Sequence, residues 1–409
     1  LHELRKDIQS TYHCLVFDES PSFRDKFVVV MACYPKKMAE HYIPRTALYN
    51  LIAVEGDGPK KGTTAKCIGK TVNSTLSDEA KKYTVAIVSD GSAVLGLGNI
   101  GAHAAIPVME GKAMLFKRFA GINGFPICLT TQKTDEIISI VKNIAPVFGG
   151  INLEDISSPR CFEVEEKLQD IGIPVFHDDQ HGTAIVVLAA LMNFCRLTGR
   201  KMEDLKIVIN GAGAAGIAIA RYLGKKDRDA RNQKIAKEII MCDTMGIIHK
   251  NRLGVNDIKE ELLLYTNPRN LMGNVEDALV GADVFVGVSK ANLLNRNHIR
   301  SMAKDPLILA LANPIPEILP DEAMAGGAFI VCTGRSDFPN QVNNVLGFPY
   351  IFRGALDVRA KHINEAMKLA AVKALAELAK TPVPDIVNMA YNETNISFGE
   401  HYIIPKPLD

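Results

Sequence analysis

Two pairs of adjacent carboxylic acids each follow a short apolar run that is typical of a strand. Glu154 and Asp155 end the run GGINLED, and Asp178 and Asp179 end the run IPVFHDD. Ligands bind beyond the carboxyl ends of parallel strands, which lie about 4.8 Å apart, so the four side chains can converge. Clustered carboxylates repel one another unless a cation or shared proton offsets their charge, and hard oxygen ligands suit Mg²⁺ or Mn²⁺. One pair alone favours helix capping, whereas two pairs together favour a metal site.

A lysine lies in a predicted helix with largely apolar neighbours. Lys112 is found in the segment VMEGKAMLFKR. Burial there would lower the pKa of the lysine and make it a usable general base. The alternative is an exposed lysine whose aliphatic stem covers apolar surface.

Two segments share the glycine spacing G-x-G-x-x-G: VLGLGNIG (94–101) and VINGAGAAG (208–216). This spacing brings backbone N–H groups to a pyrophosphate when a strand precedes it, a helix follows it and an acid ends the next strand. The second segment has all three features, with Asp243 as the acid. The first lacks the acid and is predicted to be a tight turn that positions the helix of Lys112 through Gly96, Gly98 and Gly101. The predicted dinucleotide-binding residues are Gly211, Ala212, Gly213, Ala214, Ala215, Gly216 and Asp243.

Asp243 also bears on the choice of dinucleotide. A carboxylate at this place accepts a hydrogen bond from a ribose 2′-hydroxyl and repels a 2′-phosphate, which favours NAD. Lys250 and Arg252 follow closely in the sequence and leave NADP open.

Polar residues at the ends of later strands are further candidates. Asn313 ends the run LILALANP, while Asn343 and Asn344 lie in a long segment after another predicted strand. Such asparagines either cap helices or bind ligands, and the length of the segment favours function. His177, which precedes the second acid pair, is expected to be structural or to support the ligands.

Strand and helix patterns alternate from about residue 85 onward, which predicts an α/β fold with parallel sheets. We expect an N-terminal α/β domain over 1–182 that binds substrate and metal. A Rossmann-like dinucleotide-binding domain over 183–385 and an extended tail over 386–409 follow it. The first 80 residues match this pattern poorly.

Three helices carry more specific expectations. Ser158 is expected to open a helix with Pro159 at its first position. The apolar run 182–195 is shorter than the roughly 20 residues that cross a bilayer and is predicted to form a buried helix. A last helix is expected over about 357–380.

Composition restricts the class of partner. The chain has 409 residues and a net charge of +1, which gives no electrostatic basis for binding nucleic acid or an anionic membrane. Its eight cysteines form no C-x-x-C pair and indicate buried thiols in a reducing compartment, which we expect to be the cytoplasm. Because the sequence starts at Leu1, an organellar presequence is left open.

Taken together, the motifs strongly resemble the malic enzymes, especially the shorter bacterial-type form. The segments that carry the resemblance are SDGSAVLGLGNIG, PVMEGKAMLFK, GGINLEDI, PVFHDDQHGTA, GAGAAGIAIA, LANPIPE, FPNQVNNVLGFPYIFRGALD and FGEHYIIPKP. They run in order from about residue 83 to residue 409. The resemblance implies oxidation of malate with NAD or NADP, decarboxylation to pyruvate with Mg²⁺ or Mn²⁺, and a homodimer or homotetramer.

The resemblance also implies roles for individual residues. Lys112 matches the general base of the family. Glu154, Asp155 and Asp179 match its metal ligands, and Asp178 supports that site. The metal would polarise the C2 oxygen and a carboxylate oxygen of malate.

Further matching positions concern the cofactor, the substrate and a general acid. Asn313 matches a contact to cofactor or substrate, and Asn344, with Asn343 beside it, matches a substrate contact. The family supplies its acid from a tyrosine in a segment that reads roughly Y-T-P-G or Y-S-P-G, and neither occurs here. Tyr34 in ACYPKKMAE is the nearest match, and Tyr49 is the alternative.

Two other functions stay open at this point. An amino-acid dehydrogenase would share the lysine and the Rossmann-like domain without needing the carboxylates. An inactive dinucleotide sensor would account for the unusual tyrosine segment.

Overall fold

The computed structural model describes residues 82–94, 96–224 and 235–409, together with the backbone of four two-residue strands nearer the N-terminus. The chain divides into a small unit, Leu1–Thr84 with Pro146–Gly149, and a large unit, Val85–Ala145 with Gly150–Asp409. The small unit contains two antiparallel pairs of short strands. They are β1 (Tyr12–His13) with β4 (Tyr34–Pro35), and β2 (Asp18–Glu19) with β3 (Val28–Val29). The side chain of Tyr34 and all of Tyr49 lie outside the described residues, so the general acid stays a prediction.

The first sheet has four strands in the order β6–β5–β7–β8. β7 lies parallel to both β5 and β8, and Leu153 of β7 is opposite His177 of β8. The runs TVAIVS and GINL are buried throughout, as expected of strands that are covered on both faces. The strands are β5 (Thr84–Ser89), β6 (Asn123–Cys128), β7 (Gly150–Leu153) and β8 (Val175–His177).

Between residues 82 and 177, the described chain forms three α-helices around this sheet. Their bounds are α1 (Gly101–Ala120), α2 (Thr134–Ile144) and α3 (Arg160–Lys167). The helix expected after Ser158 is present, but Pro159 is its N-cap residue rather than its first helical residue.

The long apolar helix α4 (Asp178–Thr198) connects the two sheets. It begins at Asp178, four residues before the apolar run that was expected to form it, so Asp178 and Asp179 lie in its first turn and not at the end of a strand. Among the described residues, α4 is the one helix long and apolar enough to cross a membrane, with a mean hydropathy of 1.3. However, 61% of that stretch is buried inside the protein, where α4 packs on other helices. It is therefore a core helix, as predicted.

The second sheet has six strands in the order β11–β10–β9–β12–β13–β14, parallel except for β11. Because the chain moves outward from β9 to β10 and then returns to β12 on the other side, the strand order reverses between β9 and β12. Ligands of doubly wound sheets bind at such a point. The strands are β9 (Lys206–Asn210), β10 (Glu238–Asp243), β11 (Gly246–Ile247), β12 (Val284–Gly287), β13 (Leu307–Ala310) and β14 (Ile330–Thr333).

Helices flank this sheet and complete the α/β architecture that the sequence predicts. They are α5 (Ala214–Gly224), α6 (Asp257–Leu262), α7 (Val275–Leu279), α8 (Arg296–Arg300) and α9 (Pro320–Ala325).

The C-terminal part differs from expectation in detail. Part of the long segment that holds Asn343 and Asn344 forms a helix that the sequence did not predict, α10 (Phe348–Asp357). The helix expected over about 357–380 is present as α11 (Glu365–Leu378). A further helix, α12 (Asp385–Ala390), occupies the start of the segment expected to be extended. Beyond it, Tyr402, Ile403 and Ile404 are buried. The Asn193 side chain in α4 donates to the carbonyl of Ile403 at 2.7 Å, which fastens the tail to the core. The domain boundary near residue 182 stays a prediction, since α4 runs through it.

Candidate active site

Lys112 lies inside the protein and contacts two of the predicted carboxylates. Helix α1 presents it from its buried face, and 7% of the residue is exposed. Its Nζ donates to Glu154 Oε1 at 2.7 Å and also to Asp178 Oδ2. The ammonium stands 3.9 Å from the centre of the Phe348 ring, close enough for a cation–π interaction. The alternative of an exposed lysine is therefore wrong.

The direction of the lysine pKa shift differs from the sequence-based expectation. Burial lowers the pKa of Lys112, as expected, but the negative charges of Asp178 and Glu154 and their hydrogen bonds outweigh it. The pKa therefore lies above its usual value, and Lys112 is an ammonium at neutral pH. Anything that offsets the charge of these carboxylates would make it a better base.

Three carboxylates converge beside Lys112, as predicted. One oxygen from each of Glu154, Asp155 and Asp179 lies within 4.8 Å of the others. Asp155 has a positive φ of 54°, and its backbone N–H donates to Asp179 Oδ2 at 2.8 Å. This unusual backbone region is tolerated best by Gly, Asn and Asp, and it turns the Asp155 carboxylate toward its neighbours.

The electrostatics of these acids favour a bound positive charge. Burial, followed by the charges of Asp179 and Glu154, raises the pKa of Asp155 to about 9. Burial also raises the pKa of Glu154 and of Asp179, against the opposing charge of Lys112. An all-oxygen donor set that carries such repulsion fits a hard divalent cation such as Mg²⁺ or Mn²⁺.

Asp178 points toward Lys112 rather than joining these three acids. Its Oδ2 accepts from Lys112 and from Asn344 Nδ2, the latter at 2.6 Å, while its buried Oδ1 has no hydrogen-bond partner. Burial raises the pKa of Asp178 well above its usual range. Asn344 thus joins the site as predicted. Asn343 is engaged elsewhere, because its Oδ1 accepts from the backbone N–H of Val345 and caps a short 3₁₀ helix.

The first glycine segment forms a tight turn, as predicted. Gly96, Gly98 and Gly101 all have positive φ, and α1 starts at Gly101. A Cβ at Gly96 would lie 2.6 Å from the carbonyl oxygen of Asn313, so this turn lies directly against the segment after β13. Ala93, just before it, donates its N–H to the carbonyl of Asp155 at 2.9 Å. The turn therefore joins the lysine helix, the acid cluster and Asn313.

The second glycine segment has the strand–loop–helix geometry of a phosphate loop. It follows β9, and α5 begins at Ala214. Gly211 has a φ of 123°, and a Cβ there would lie 2.6 Å from the carbonyl oxygen of Val288. A Cβ at Gly216 would lie 1.8 Å from the carbonyl oxygen of Gly211, so glycine is required for the close turn. This geometry can hold a pyrophosphate at the N-terminus of α5.

Asp243 ends β10 beside β9, but it is not a free carboxylate. Its Oδ2 accepts from Arg252 Nη2 at 2.6 Å and from Lys259 Nζ at 2.7 Å. Burial would raise the pKa of Asp243, but these two bonds hold it below its usual value. The two cations offset the negative charge on which the preference for NAD rested, so the carboxylate no longer argues against a 2′-phosphate.

Three residues of the site were missed by the sequence interpretation. Phe348 lies against Lys112, and Asn152 donates from Nδ2 to Glu154 Oε2 at 2.9 Å. Gly182 leaves room for Asp178, since a Cβ there would lie 1.8 Å from Asp178 Oδ1. The segment HDDQHGTA offered a signal for Gly182, because a glycine inside an apolar helix needs a packing reason.

Comparison with known proteins gives matches along most of the chain. The family model described as "Malic enzyme, N-terminal domain" matches residues 58–169, and "Malic enzyme, NAD binding domain" matches residues 180–390. A crystal structure of NAD-dependent malic enzyme from Thermotoga maritima is 41% identical, with a TM-score of 0.73 over 90% of this chain and 96% of that one. The malic enzyme structure from Pyrococcus horikoshii Ot3 is 38% identical, with a TM-score of 0.74 over 99% and 87%.

Curated relatives of similar sequence are also malic enzymes. The bifunctional malic/malolactic enzyme of Bacillus subtilis (strain 168) is 51% identical over 86% of this chain and 81% of its own length. The NAD-dependent malic enzyme of Geobacillus stearothermophilus is 53% identical over 85% and 68%. The NADP-dependent malic enzyme of Rhizobium meliloti (strain 1021) is 50% identical, and the match spans 45% of that longer protein. The chain therefore belongs to the malic enzyme family.

Proposed function

We propose that this protein oxidises malate with NAD⁺ or NADP⁺ and decarboxylates the product to pyruvate and CO₂, with the help of a divalent cation. The observation that carries the proposal is the buried Lys112, which bonds to Glu154 and Asp178 beside three converging carboxylates. Family membership supports the reaction, and the named relatives include both NAD- and NADP-dependent enzymes.

The carboxylates of Glu154, Asp155 and Asp179 would hold Mg²⁺ or Mn²⁺. Once bound, such an ion polarises oxygens of the substrate and stabilises negative charge on them. Its positive charge would also offset the carboxylates that now raise the pKa of Lys112, and so make the lysine a better proton acceptor.

Within the chain, Lys112 and Asp178 form the proton-handling pair. Lys112 Nζ would take the proton of the malate hydroxyl after releasing its own proton to Asp178, whose burial favours the protonated form. Asn344 would orient Asp178 through its 2.6 Å hydrogen bond. The dinucleotide would lie along the loop from Gly211 to Gly216. Asn313 would contact cofactor or substrate, and Asn344 would contact the substrate, while Asn343 caps the short 3₁₀ helix that carries Asn344. Tyr34 or Tyr49 would supply the final proton.

Two further parts of the proposal concern the assembly and the location of the protein. Assembly as a homodimer or homotetramer and a cytoplasmic location both stay predictions. The first rests on the resemblance, and the second rests on the scattered cysteines.

A coupled measurement of both products tests the proposed reaction. The purified protein is incubated with malate, Mn²⁺ and either dinucleotide, and pyruvate and reduced dinucleotide are quantified. We expect equal amounts of the two products and no turnover after EDTA treatment. Turnover that survives EDTA would favour a dehydrogenase without a metal site. Absence of both products while dinucleotide still binds would favour a sensor.

A further inference from the structure

A second group of buried charges lies next to the acid cluster and takes no part in the chemistry proposed above. It consists of Glu165 on α3, His181 on α4 and Lys368 on α11, whose side chains are 11%, 14% and 8% exposed. Charged side chains are rarely buried to this degree unless they are paired. We call these three residues the α4 clamp.

Glu165 holds the chain on both sides of Asp178 and Asp179. Its Oε1 accepts from the backbone N–H of His177 at 3.1 Å, and His177 immediately precedes Asp178. The same carboxylate accepts from His181 Nε2, at 2.9 Å to Oε1 and 3.0 Å to Oε2. His181 lies two residues after Asp179. The carboxylate of Glu165 therefore binds the chain both before and after the turn that carries Asp178 and Asp179.

His181 contacts Lys368 through both nitrogens of its ring. Lys368 Nζ lies 3.3 Å from Nδ1 and 3.5 Å from Nε2. The hydroxyl of Tyr222 on α5 lies 3.4 Å from Nδ1 as well, and Lys368 also donates to Glu365 Oε1 at 3.0 Å. Helices α3, α5 and α11 thus all contact α4 at His181.

Glu165 carries the negative charge of the clamp at neutral pH. Burial alone would raise the pKa of Glu165, but the charge and hydrogen bond of His181 and the charge of Lys368 lower it to about 2. Buried ion pairs of this kind bring little net stability compared with an apolar core of the same volume. What they add over apolar side chains is a defined direction for each hydrogen bond.

We propose that Glu165 and His181 are positioning residues that fix the first turn of α4 and thereby aim Asp179 at the metal and Asp178 at Lys112. This inference rests on the proposed metal site. Hydrogen bonds that orient metal ligands from outside are commonly worth about 10–100-fold in metal affinity. Because the clamp acts on the turn and not on a ligand atom, we expect the lower end of that range.

Binding of Mn²⁺ alone, measured from the electron paramagnetic resonance signal of the free ion, tests the clamp without substrate. Glu165→Gln and His181→Leu should each raise the Mn²⁺ Kd about 10-fold. His181→Gln keeps a donor for Glu165 and an acceptor for Lys368, so its Kd should stay within about threefold of the wild-type value. The same variants should lower kcat/KM for malate in the same order.

Asp283 offers a matched control. Its carboxylate also accepts two hydrogen bonds, one from the backbone N–H of Lys206 at 2.8 Å and one from the cationic side chain of Arg200 at 3.1 Å. It lies just before β12, at the end of the second sheet away from the glycine loop. Asp283→Asn should lower the melting temperature and leave the Mn²⁺ Kd unchanged.

The outcomes separate the clamp from the metal site. Wild-type Mn²⁺ affinity in both Glu165→Gln and His181→Leu would refute the clamp and leave the proposed function standing. An equal loss of affinity in Asp283→Asn would refute it too, since that would be a general effect of destabilisation. No Mn²⁺ binding by the wild-type protein would overturn the metal site and the clamp together. If Glu165→Gln does not fold, the comparison of His181→Gln with His181→Leu decides.

Discussion

Gly182 determines where the carboxylate of Asp178 can lie, and replacing it with alanine is a direct test of the site. A Cβ at this position would lie 1.8 Å from Asp178 Oδ1, whereas ordinary contact begins at 3.4 Å. The carboxylate would therefore have to move by 3.4 − 1.8 = 1.6 Å. Such a shift breaks the 2.6 Å hydrogen bond from Asn344 and the contact with Lys112.

The size of the effect follows from this displacement. Misplacing a catalytic group by about 1 Å can cost about 100-fold in rate, or about 2.7 kcal/mol. We therefore expect kcat/KM for malate to fall at least about 100-fold in Gly182→Ala.

The same substitution changes the stability of the protein in two opposing ways. Alanine favours the helix by about 1 kcal/mol, whereas the two lost charge-assisted hydrogen bonds cost about 1.5–3 kcal/mol each. The free energy of unfolding should fall by about 2–5 kcal/mol.

The assay measures kcat/KM for malate at saturating Mn²⁺ and dinucleotide, together with thermal unfolding of the same samples. Gly354→Ala is the matched control, because Gly354 lies in α10 and a Cβ there would meet no atom within 4 Å. It should keep wild-type kcat/KM and gain up to about 1 kcal/mol of stability. A Gly182→Ala enzyme within about threefold of wild-type kcat/KM would refute the placement of Asp178 at the reacting centre.

Four further predictions concern single side chains. Lys112→Met should abolish malate oxidation and leave NAD⁺ affinity, measured by fluorescence titration, nearly unchanged. Asp155→Asn should remove the rise in melting temperature that Mn²⁺ causes in the wild-type protein. Lys259→Ala should raise KM for NADP⁺ about 5–10-fold more than KM for NAD⁺, because a lysine beside Asp243 attracts a 2′-phosphate. Glu165 has its pKa lowered from 4.5 to about 2, so its ionised form stabilises the fold above about pH 4.5 and loses this effect as pH falls toward 2. The difference in unfolding free energy between wild type and Glu165→Gln should shrink from about 3 kcal/mol at pH 7 to about 1 kcal/mol at pH 3.

Each of these four predictions has an outcome that would contradict it. Retained turnover in Lys112→Met would remove Lys112 as the base. An unchanged Mn²⁺ effect in Asp155→Asn would exclude that carboxylate as a ligand. An equal rise in both KM values would place Lys259 outside the 2′-phosphate position. A difference for Glu165 that does not change with pH would show that folding does not shift the pKa of this carboxyl group.

Residue types and spacing predict much of this site, because strand ends and glycine turns are local features. The convergence of Glu154, Asp155 and Asp179 follows from two parallel strands ending at one edge. The pKa values that result from charges far apart in the sequence could not be predicted. The contact between Lys112 and Glu154 joins residues 42 positions apart, and its charge reverses the pKa shift that burial alone would give.

Competition between local and tertiary bonds accounts for other differences. Asn343 and Asn344 are neighbours of the same type, yet one caps a 3₁₀ helix and the other bonds to Asp178. Asp243 stands where a ribose-binding acid is expected, but its ion pairs with Arg252 and Lys259 depend on chain segments that follow the strand. In both cases the sequence identifies the position and the fold determines the partner.

The attachment of the tail to α4 has a consequence for the order of folding. Asn193, in the C-terminal half of this helix, donates to carbonyls from both Ala376 and Ile403, and each bond is made with chain that is synthesised much later. Until that chain emerges, the amide of Asn193 must stay hydrated, because burying it unpaired costs about 1–3 kcal/mol. Translation at about 5–20 residues per second leaves roughly 10–40 s between the two ends of this contact. During that time the side of α4 that α11 later covers stays exposed, so the first turn with Asp178 and Asp179 is fixed only after most of the chain has been made.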